Sequence, residues 1–298
     1  MDTKLLTFIE VCRTRNFTSA AKNLNLTQPA VSQHIKLLEA EYDTKLFIRT
    51  DNELLLSDEG NIMLKYAKRI QSLYSDLERK IIDCKRYTRS LIVGITHTAE
   101  SNLTPEILAN FSLENSGTHI KIISDTIRKL YDKLNNYQID LAIIEGKITN
   151  KKYSSIVLGS DTLCLVVSPI NQLAKKKLVT INDLKKENLI IRDTESGTTA
   201  LFINELNKLD LSLNDFNVSM EIDNVSSIKD LVMKNLGVSI LPRSACLKEI
   251  REKSLISLPI ENLNMVRETN LVYIKDNIEK ETLEKLVDAY STMLKYKI

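Results

Sequence analysis

The first forty residues alternate apolar and polar positions with the three-and-four spacing of amphipathic helices. Three helices are predicted: one near the amino terminus, a second capped by Thr18 or Ser19, and a third capped by Thr27. Asn25, in the turn before the third helix, is a residue type that tolerates positive φ. The apolar positions that define these helices are Leu5, Phe8, Ile9, Cys12, Ala20, Ala21, Leu24, Val31, Ile35 and Leu38.

The third helix has a polar outer face although it follows another helix after only a few residues. Pro29 lies in its first turn, where proline costs no intrahelical hydrogen bond. A short turn that holds such a helix at a fixed angle is typical of helix-turn-helix domains, whose second helix enters the major groove. The alternative is a helical hairpin with a solvated outer face. The residues on this face are Gln28, Ala30, Ser32, Gln33 and Lys36.

A long helix without proline is predicted after Ser57. Its apolar positions are spaced alternately by four and three residues, which is a heptad pattern. Such a seam either packs against the first domain of its own chain or pairs two chains as a coiled coil. Pairing would present two groove-reading helices to a near-palindromic DNA site. The seam consists of Met63, Ala67, Ile70, Tyr74, Leu77, Ile81 and Cys84.

Beyond Arg89 short apolar runs alternate with helical segments. This alternation predicts parallel sheets covered by helices on both faces, with ligands bound at the carboxyl ends of the strands. The predicted strands lie at 90–95, 119–124, 139–144, 162–168, 188–193, 218–222, 237–242 and 269–274, and the predicted helices run through Leu103 to Phe111, around Leu130 and Leu134, and from Glu281 to Leu294.

Two strand-to-helix junctions, Gly94–Ser101 and Arg192–Phe202, place hydroxyl groups, glycine and backbone amides at the beginning of a helix. A carboxylate, phosphate or sulfate would suit either junction, because free N–H groups and the helix dipole attract negative charge. The alternative is ordinary N-capping by serine and threonine. Two such junctions on opposing lobes favour a ligand cleft between them.

Composition excludes several classes of protein. The 298 residues allow two or three domains, and a net charge of +2 means that any DNA-binding surface is local. No signal peptide or membrane-spanning run is recognisable, so a cytoplasmic protein that contacts no membrane is expected. Cys12, Cys84, Cys164 and Cys246 form no C-x-x-C pair, which argues against a zinc site or disulfide framework and leaves a redox-sensing thiol open.

No catalytic motif is recognisable in the chain, which contains 3 histidines. We therefore expect no catalytic residues, no metal and no cofactor, since catalysis needs a positioned base, nucleophile or metal. An enzyme joined to a DNA-targeting module is the alternative.

Two stretches carry a family resemblance. The segment SAAKNLNLTQPAVSQHIKLLE, with LFIRTDNELLLSDEG after it, resembles the winged helix-turn-helix of LysR-type transcriptional regulators. Further along, DLAIIEG, RDTESGT and SSIKDLVMKNLGVSILP are similar to the effector-binding half of the same family. The resemblance spans the whole chain.

The resemblance implies a mixed fold in three parts. These parts are an all-α winged helix-turn-helix DNA-binding domain at 1–58, a dimerising linker helix at 59–89, and an α/β effector-binding domain at 90–298, whose two lobes resemble a periplasmic binding protein. Lobe I comprises 90–161 and 267–298, lobe II comprises 162–266, and two strands cross the hinge between them.

The resemblance also implies site residues and partners. The partners are double-stranded DNA, a small-molecule effector and further copies of the chain, as a homodimer through the linker helix and a homotetramer; RNA polymerase is a further candidate. The implied DNA-binding residues are Thr27, Gln28, Pro29, Ala30, Ser32, Gln33, Lys36 and Arg49, and the implied effector-binding residues are Thr96, His97, Thr98, Ser196, Gly197, Thr198, Thr199 and Asn224.

The chain departs from the family pattern at three places. Gln33 stands where arginine is frequent, and an amide suits adenine better than guanine. Residues 51–53 are Asp-Asn-Glu in a wing that is usually basic, so fewer phosphate contacts and a shallower salt dependence are expected. Thr199 stands where arginine often follows the SGT motif, which argues against a strongly anionic effector unless His97 or Arg192 supplies positive charge.

Overall fold

The computed structural model describes residues 1–49, 53–146, 148, 150–194, 196–275 and 278–297. The chain divides into an amino-terminal unit, residues 1–87 with 135–138, and a carboxy-terminal unit made of the remaining residues. The elements of the amino-terminal unit are α1 (Thr3–Thr14), α2 (Phe17–Asn23), α3 (Gln28–Glu41), β1 (Phe47–Arg49), β2 (Leu54–Leu56) and α4 (Asp58–Arg86).

The turn chemistry of the first three helices is largely as predicted. Asn25 adopts a φ of 53°, and the Thr27 hydroxyl caps α3 by accepting a hydrogen bond from the amide of Ala30 at 3.3 Å. The predicted cap of α2 was wrong. Asn16 caps this helix because its backbone is extended and its side chain accepts from the amide of Ser19 at 2.9 Å.

The three helices pack around one apolar core. Phe8 and Val11 of α1, Ala20 of α2, and Val31 and Leu38 of α3 are buried there. The two alanines of α2 lack the bulk that would hold α1 and α3 apart, so the core fixes the angle at which the outer face of α3 is presented.

The first part of the α4 seam packs against the chain's own amino-terminal unit, and the rest of the seam is exposed. Met63 and Ala67 pack in the core of the amino-terminal unit. Farther along the helix, Ile70, Tyr74 and Leu77 are 45%, 44% and 54% exposed in the single chain, and Ile81 is 47% exposed. Most of the seam therefore remains available for a partner.

The carboxy-terminal unit is an α/β structure with two lobes. Lobe I contains the parallel strands β3, β4 and β5, and lobe II contains the parallel strands β7, β8 and β9. The elements in chain order are β3 (Arg89–Ile95), α5 (His97–Glu100), α6 (Thr104–Glu114), β4 (Thr118–Ser124), α7 (Ile127–Asn135), β5 (Leu141–Glu145), β6 (Ser154–Val167), α8 (Ile181–Leu184), β7 (Leu189–Ile191), α9 (Gly197–Asn207), β8 (Val218–Glu221), α10 (Val225–Met233), β9 (Val238–Pro242), α11 (Leu247–Arg251), β10 (Ile256–Leu258), β11 (Val266–Tyr273) and α12 (Lys280–Lys297).

Two antiparallel strands, β6 and β11, connect the lobes. They pair from Thr162 opposite Val266 to Ser154 opposite Tyr273. Strand β11 also pairs with β5 of lobe I, and β6 also pairs with β9 of lobe II, so the strand order is β4-β3-β5-β11-β6-β9-β7-β8, with β10 beside β6. We call β6 and β11 the hinge strands.

The sequence prediction missed the first half of β6 and all of β10. Strand β6 begins at Ser154, whereas the apolar run that predicted it begins at Thr162. Gly159, Ser160 and Asp161 interrupt the apolar pattern because this stretch lines a polar hinge rather than a core. Strand β10 is only 3 residues long, which is too short to show a period.

Within the described residues, no helix combines the length and apolar composition needed to cross a membrane.

Gly60 is the residue that lets α4 approach the chain before the wing. A Cβ atom at this position would lie 2.2 Å from the backbone oxygen of Leu46, which also accepts a hydrogen bond from the amide of Ser57. We expect Gly60→Ala to destabilise the amino-terminal unit by about 2 kcal/mol, because a backbone atom must move. Hydrogen–deuterium exchange of the α1–α3 amides in the full chain measures this loss.

The matched control is Glu59→Ala, at an exposed position of the same turn. It should change stability by less than about 0.5 kcal/mol. Equal exchange rates in Gly60→Ala and the unsubstituted protein would contradict the close approach.

Candidate DNA-binding helix and ligand cleft

The outer face of α3 is a row of polar side chains on a well-anchored helix. Gln28, Pro29, Gln33 and Lys36 are exposed, as is the cap residue Thr27, whereas Ala30 and Ser32 are half-buried. The side-chain Nε2 of Gln28 donates to the Ser32 hydroxyl at 2.9 Å, which orients the Gln28 side chain in the first turn. All seven residues predicted from α3 therefore lie on or beside one face.

His34 anchors this helix to α1. Its Nδ1 lies 2.9 Å from the hydroxyl of Thr7, and that hydroxyl also donates to the carbonyl oxygen of Thr3 at 2.9 Å. Because the single hydroxyl hydrogen is used on Thr3, the bond to His34 requires Nδ1–H to donate. His34 thus packs α3 against the core instead of extending from the outer face.

Thr96 and Thr98 form the lobe I side of the cleft. The Thr96 hydroxyl caps α5 by accepting from the amide of Ala99 at 3.1 Å and donates to Oε2 of Glu145 at 2.7 Å. Both threonines are buried. The Gly94–Ser101 junction therefore contains ordinary N-capping by a threonine, which was the alternative to a ligand site. In addition, the carboxylate of Glu145 accepts a hydrogen bond from the capping hydroxyl.

Ser196 and the first turn of α9 form the lobe II side. The Ser196 hydroxyl accepts from the amide of Thr199 at 3.2 Å, and the Thr199 hydroxyl donates to the carbonyl of Arg192 at 2.9 Å. Gly197 and Thr198 are the first residues of this 11-residue helix, and amides in a first turn have no intrahelical acceptor. The amide of Gly197, which lines the cleft, is therefore placed to meet an acceptor on a ligand.

The cleft cavity has a volume of about 60 Å³. Five of the eight predicted effector-binding residues line it, namely Thr96, His97, Thr98, Ser196 and Gly197. The structure does not bring the other three to its wall. Thr198 is buried beneath the turn, Thr199 bonds to backbone, and Asn224 is an exposed residue that caps α10 by accepting from the amide of Ser227 at 2.9 Å.

Arg192 joins the two lobes across this cavity. Its Nη1 donates to the Thr98 hydroxyl of lobe I at 2.9 Å, while Nη2 donates to Oδ1 of Asp223 in lobe II at 2.5 Å. Its Nε donates to the carbonyl oxygen of Asp223 at 3.1 Å. We call this set of hydrogen bonds the inter-lobe bridge. It commits the guanidinium group to the protein rather than to an anionic ligand.

The cleft wall is predominantly acidic. Asp125, Glu145, Asp193 and Asp223 line it together with Arg192. Burial would raise the pKa of the Asp125 carboxyl, but hydrogen bonds from the Thr126 amide and from Lys129 hold that pKa below its usual value, so the group is charged at neutral pH. A wall with this balance of charge repels anionic groups.

Two buried charged side chains at the hinge, those of Arg267 and Glu145, were not identified from the sequence. Arg267 of β11 places Nη2 4.0 Å from Oε1 of Glu145 and 4.0 Å from Oδ2 of Asp161, and Nη1 3.5 Å from the Thr198 hydroxyl. Its Nε and Nη2, and Oε1 of Glu145, have no hydrogen-bond partner among the described residues. Glu145 stands in the DLAIIEG motif and was a readable candidate, whereas Arg267 belongs to no recognisable pattern.

Three of the four cysteine thiols have pKa values above the ordinary value for a thiol, which lowers their reactivity. Burial raises the pKa of the Cys12 and Cys164 thiols to about 12 and raises that of Cys246 as well. These three thiols are protonated at neutral pH and are poor nucleophiles. Cys84 is exposed on α4, and all four cysteines are unpaired.

The described residues also contain no group of three or more His, Cys, Asp or Glu side chains placed to hold a metal ion.

Two family models match this chain. Residues 3–61 match the model for bacterial regulatory helix-turn-helix proteins of the lysR family, and residues 85–294 match that for the LysR substrate binding domain. The chain belongs to the LysR family. It is thus a DNA-binding transcriptional regulator with an effector-binding domain of two α/β lobes.

Known relatives agree with this assignment. An uncharacterised HTH-type transcriptional regulator of Methanocaldococcus jannaschii is 30% identical over 268 residues, covering 89% of this chain and 90% of the relative. The regulator CysL of Bacillus subtilis is 27% identical over 292 residues, covering 98% and 95%. Among solved structures, full-length CbnR complexed with its target DNA has a TM-score of 0.73 at 18% identity, covering 98% of this chain and 99% of that one, which is a likeness of fold.

The inter-lobe bridge gives a direct test of the cleft geometry in this LysR-type regulator. Thr98→Val keeps the shape of the side chain but leaves Nη1 of the buried Arg192 without its acceptor. We expect the carboxy-terminal unit to lose about 2 kcal/mol of stability, since a hydrogen bond to a charged group is removed. Thermal denaturation and hydrogen–deuterium exchange of α5 measure the loss.

Ser101→Ala is the matched control, because that hydroxyl donates only to the His97 carbonyl of its own turn, at 3.2 Å. It should cost less than about 0.5 kcal/mol. If both variants were equally stable, the bridge across the lobes would not contribute to holding them together.

Proposed function

We propose that this LysR-type regulator binds a near-palindromic DNA site as a dimer paired through α4, and that a small molecule in the cleft alters the spacing of the two reading helices. The observation that carries the proposal is the combination of an exposed polar face on α3 with an uncovered apolar seam on α4. In this proposal the DNA-binding domain comprises residues 1–58, the dimerising linker helix residues 59–89, and the effector-binding domain residues 90–298. The boundaries between its two lobes lie at 161/162 and 266/267.

The outer face of α3 is the proposed base-reading surface. Gln33 and Lys36 are exposed and project from a helix whose inner side is fixed by the core and by His34. Helix-turn-helix proteins insert such a helix into the major groove, where an amide pairs with adenine. The proposed DNA-contacting residues are Thr27, Gln28, Pro29, Ala30, Ser32, Gln33 and Lys36.

The wing is the proposed phosphate-contacting element. It is supported by the antiparallel pairing of β1 with β2, in which Phe47 lies opposite Leu56. Arg49 is proposed to meet a phosphate at the start of the wing; its side chain and residues 51 and 52 lie outside the described part of the structure. Glu53 adds negative charge, so we expect this wing to make fewer phosphate contacts than a basic wing.

The exposed seam of α4 is the proposed dimer interface. Ile70, Tyr74, Leu77 and Ile81 recur at heptad spacing along a 29-residue helix and remain uncovered in one chain. A coiled coil would bury them and would present two copies of α3. A homotetramer through lobe edges is supported by the exposed outer strand β8, all four residues of which face solvent.

The cleft is the proposed effector site and the hinge strands are the proposed moving element. A ligand shifts the lobes only if it binds one arrangement better than another. The first-turn amide of Gly197 suits an acceptor group on a ligand, whereas the carboxylates of Asp125 and Asp193 in the same wall suit a donor. We therefore expect a small effector that carries both kinds of group.

The remaining parts of the proposal concern the cellular setting. Binding to the chromosome would take place in the cytoplasm, and four unpaired cysteines suit a reducing compartment. RNA polymerase is the proposed partner through which bound regulator changes transcription. We propose no catalytic role and no cofactor, because the hydrogen bonds of the cleft are consistent with binding alone.

Gln33 and Arg49 test the division between base reading and phosphate contact. Gln33→Ala should change preference at one base pair by about 1–3 kcal/mol, because a bidentate base contact is lost. Arg49→Ala should weaken binding to all sequences alike and reduce the salt slope by about one charge. Fluorescence anisotropy against a randomised site library, at several salt concentrations, measures both effects. A uniform loss of affinity in both variants would mean that α3 does not read bases.

Leu77 tests the proposed dimer interface. Leu77→Lys places a charge in the apolar seam and should raise the dimer dissociation constant at least about thirtyfold, equivalent to about 2 kcal/mol. Light scattering coupled to size-exclusion chromatography measures the shift toward monomer. Ser75→Lys adds the same charge at an exposed position beside the seam and should leave the dimer intact. A dimer that survives Leu77→Lys would place the interface elsewhere.

A further inference from the structure

One carboxylate oxygen in the wall of the cleft has no hydrogen-bond partner. Glu145, the last residue of β5, lines the cleft cavity and is 7% exposed. Its Oε2 accepts from the Thr96 hydroxyl at 2.7 Å, whereas its Oε1 is buried and has no partner among the described residues. Buried polar atoms are nearly always hydrogen-bonded to protein, water or ligand. Oε1 of Glu145 is therefore an acceptor available to a group that enters the cleft.

The charge beside this oxygen is only half compensated. Nη2 of Arg267 lies 4.0 Å from Oε1 of Glu145 and 4.0 Å from Oδ2 of Asp161, too far for a hydrogen bond to either. Neither carboxylate forms another ion pair within the described part of the chain. One guanidinium group is therefore shared by two carboxylates, which leaves one formal negative charge over. Because the Glu145 and Asp161 side chains are 4% and 11% exposed, water screens this charge poorly.

The other carboxylates of the wall are in a different situation. Asp223 accepts from Nη2 of Arg192 at 2.5 Å, and Oδ1 of Asp125 lies 3.4 Å from the ammonium group of a lysine on α7. Asp193 is exposed, so solvent water screens its charge. Glu145 differs from all three, because it is buried and shares its cation with a second carboxylate.

The opposite wall offers a hydrogen-bond donor at a short distance. Gly197 is the first residue of α9, so its amide has no acceptor within the helix. A Cβ atom on Gly197 would lie 3.9 Å from Nη1 of Arg267, the same guanidinium group whose Nη2 lies 4.0 Å from Glu145. The donor and the acceptor thus lie near opposite ends of one guanidinium group. The cavity of about 60 Å³ is far smaller than the roughly 150 Å³ that accommodates a six-membered ring, so a chain of about two or three carbons fits.

We propose that the effector of the cleft is a small primary amine with a hydroxyl group, held by its ammonium on Oε1 of Glu145 and by its oxygen on the amide of Gly197. This inference rests on the proposed function, because it takes the cleft as the effector site. An ammonium group supplies the hydrogen-bond donors and the positive charge that Glu145, Arg267 and Asp161 together lack. A carboxylate in the same place would add a further negative charge beside a buried one.

The position of the ammonium group connects binding with the hinge. Glu145 ends a strand of lobe I, whereas Asp161 and Arg267 lie on the hinge strands β6 and β11. The ligand can hold Glu145 and Gly197 together only in the arrangement of the lobes that keeps them at this separation. It therefore binds one arrangement better than others, which is the condition for shifting the lobes.

Calorimetric titration of the full chain at neutral pH tests the charge of the ligand. The probe is ethanolamine, which is a cation at this pH. Its counterparts are ethylene glycol, which is neutral, and glycolate, which is an anion of similar size. We expect ethanolamine to bind one site per chain and at least about tenfold more tightly than either counterpart, because a hydrogen bond between charged groups is about twice as strong as a neutral one.

Two pairs of variants test the two contacts. Glu145→Gln removes the carboxylate charge and should weaken ethanolamine binding at least about tenfold. Glu100→Gln is its control, because it removes the same charge from an exposed side chain of α5, and it should change the affinity less than about twofold. Gly197→Pro removes the amide hydrogen at a helix position that suits proline, and should weaken binding about fivefold. Gly197→Ala keeps that hydrogen and adds a Cβ with an ordinary contact at 3.5 Å, so the affinity should be retained.

The outcomes distinguish the amine from the cleft itself. If ethylene glycol or glycolate binds as tightly as ethanolamine and Gly197→Pro weakens it, the amine is wrong and the cleft remains the effector site. If ethanolamine binds but neither Glu145→Gln nor Gly197→Pro weakens it, the ligand lies outside the cleft, which contradicts the cleft as effector site as well. Absence of ethanolamine binding overturns the amine.

Discussion

The arrangement of the two lobes depends on one buried cation, Arg267, placed between the carboxylates of Glu145 and Asp161. Moving an ion out of water costs several kcal/mol, and a nearby opposite charge offsets this cost only where the geometry holds. Glu145 ends a strand of lobe I, Asp161 lies on a hinge strand, and Arg267 lies on the other hinge strand and reaches Thr198 of lobe II. The three charges are compensated only while both hinge strands keep their pairing. The hinge is therefore a point where small displacements have electrostatic consequences.

The same kind of charge compensation determines which groups of a ligand the cleft can bind. Asp223 engages the guanidinium group of Arg192 in the cleft, and Glu145 lies 4.0 Å from that of Arg267 at the hinge, so both positive charges are compensated within the protein. Two donor nitrogens of Arg267 and one acceptor oxygen of Glu145 nevertheless lack hydrogen-bond partners among the described residues. If every buried polar group had a hydrogen-bond partner within the protein, the lobes would be held in one arrangement. Polar groups without such partners can instead form hydrogen bonds with a ligand. The family to which the chain belongs uses such a domain to control a DNA-reading head.

Much of the fold could be predicted because local chemistry and tertiary structure agree. The turn at Asn25, the cap at Thr27 and the buried side of α3 follow from residue type and spacing, and the parallel strands follow from apolar runs. The cap of α2 was misjudged because three polar residues, Asn16, Thr18 and Ser19, compete for the position within one turn. The first half of β6 was missed because a hinge strand that carries Gly159, Ser160 and Asp161 has no apolar period. Within the site, capping threonines and serine were readable, but Arg267 was not, since its role arises from strands about 100 residues apart meeting in space, which no local pattern encodes.

The most direct test of this account is the hydrogen–deuterium exchange of the full chain carrying Arg267→Met, which keeps the length of the side chain and removes its charge. The account predicts a loss of about 3 kcal/mol of protection in β6, β11 and the first turn of α9, because Glu145 and Asp161 lose their shared cation. Protection in α1–α3 should be unchanged. Equal protection of the hinge strands in the two proteins would contradict the claim that this buried charge sets the arrangement of the lobes.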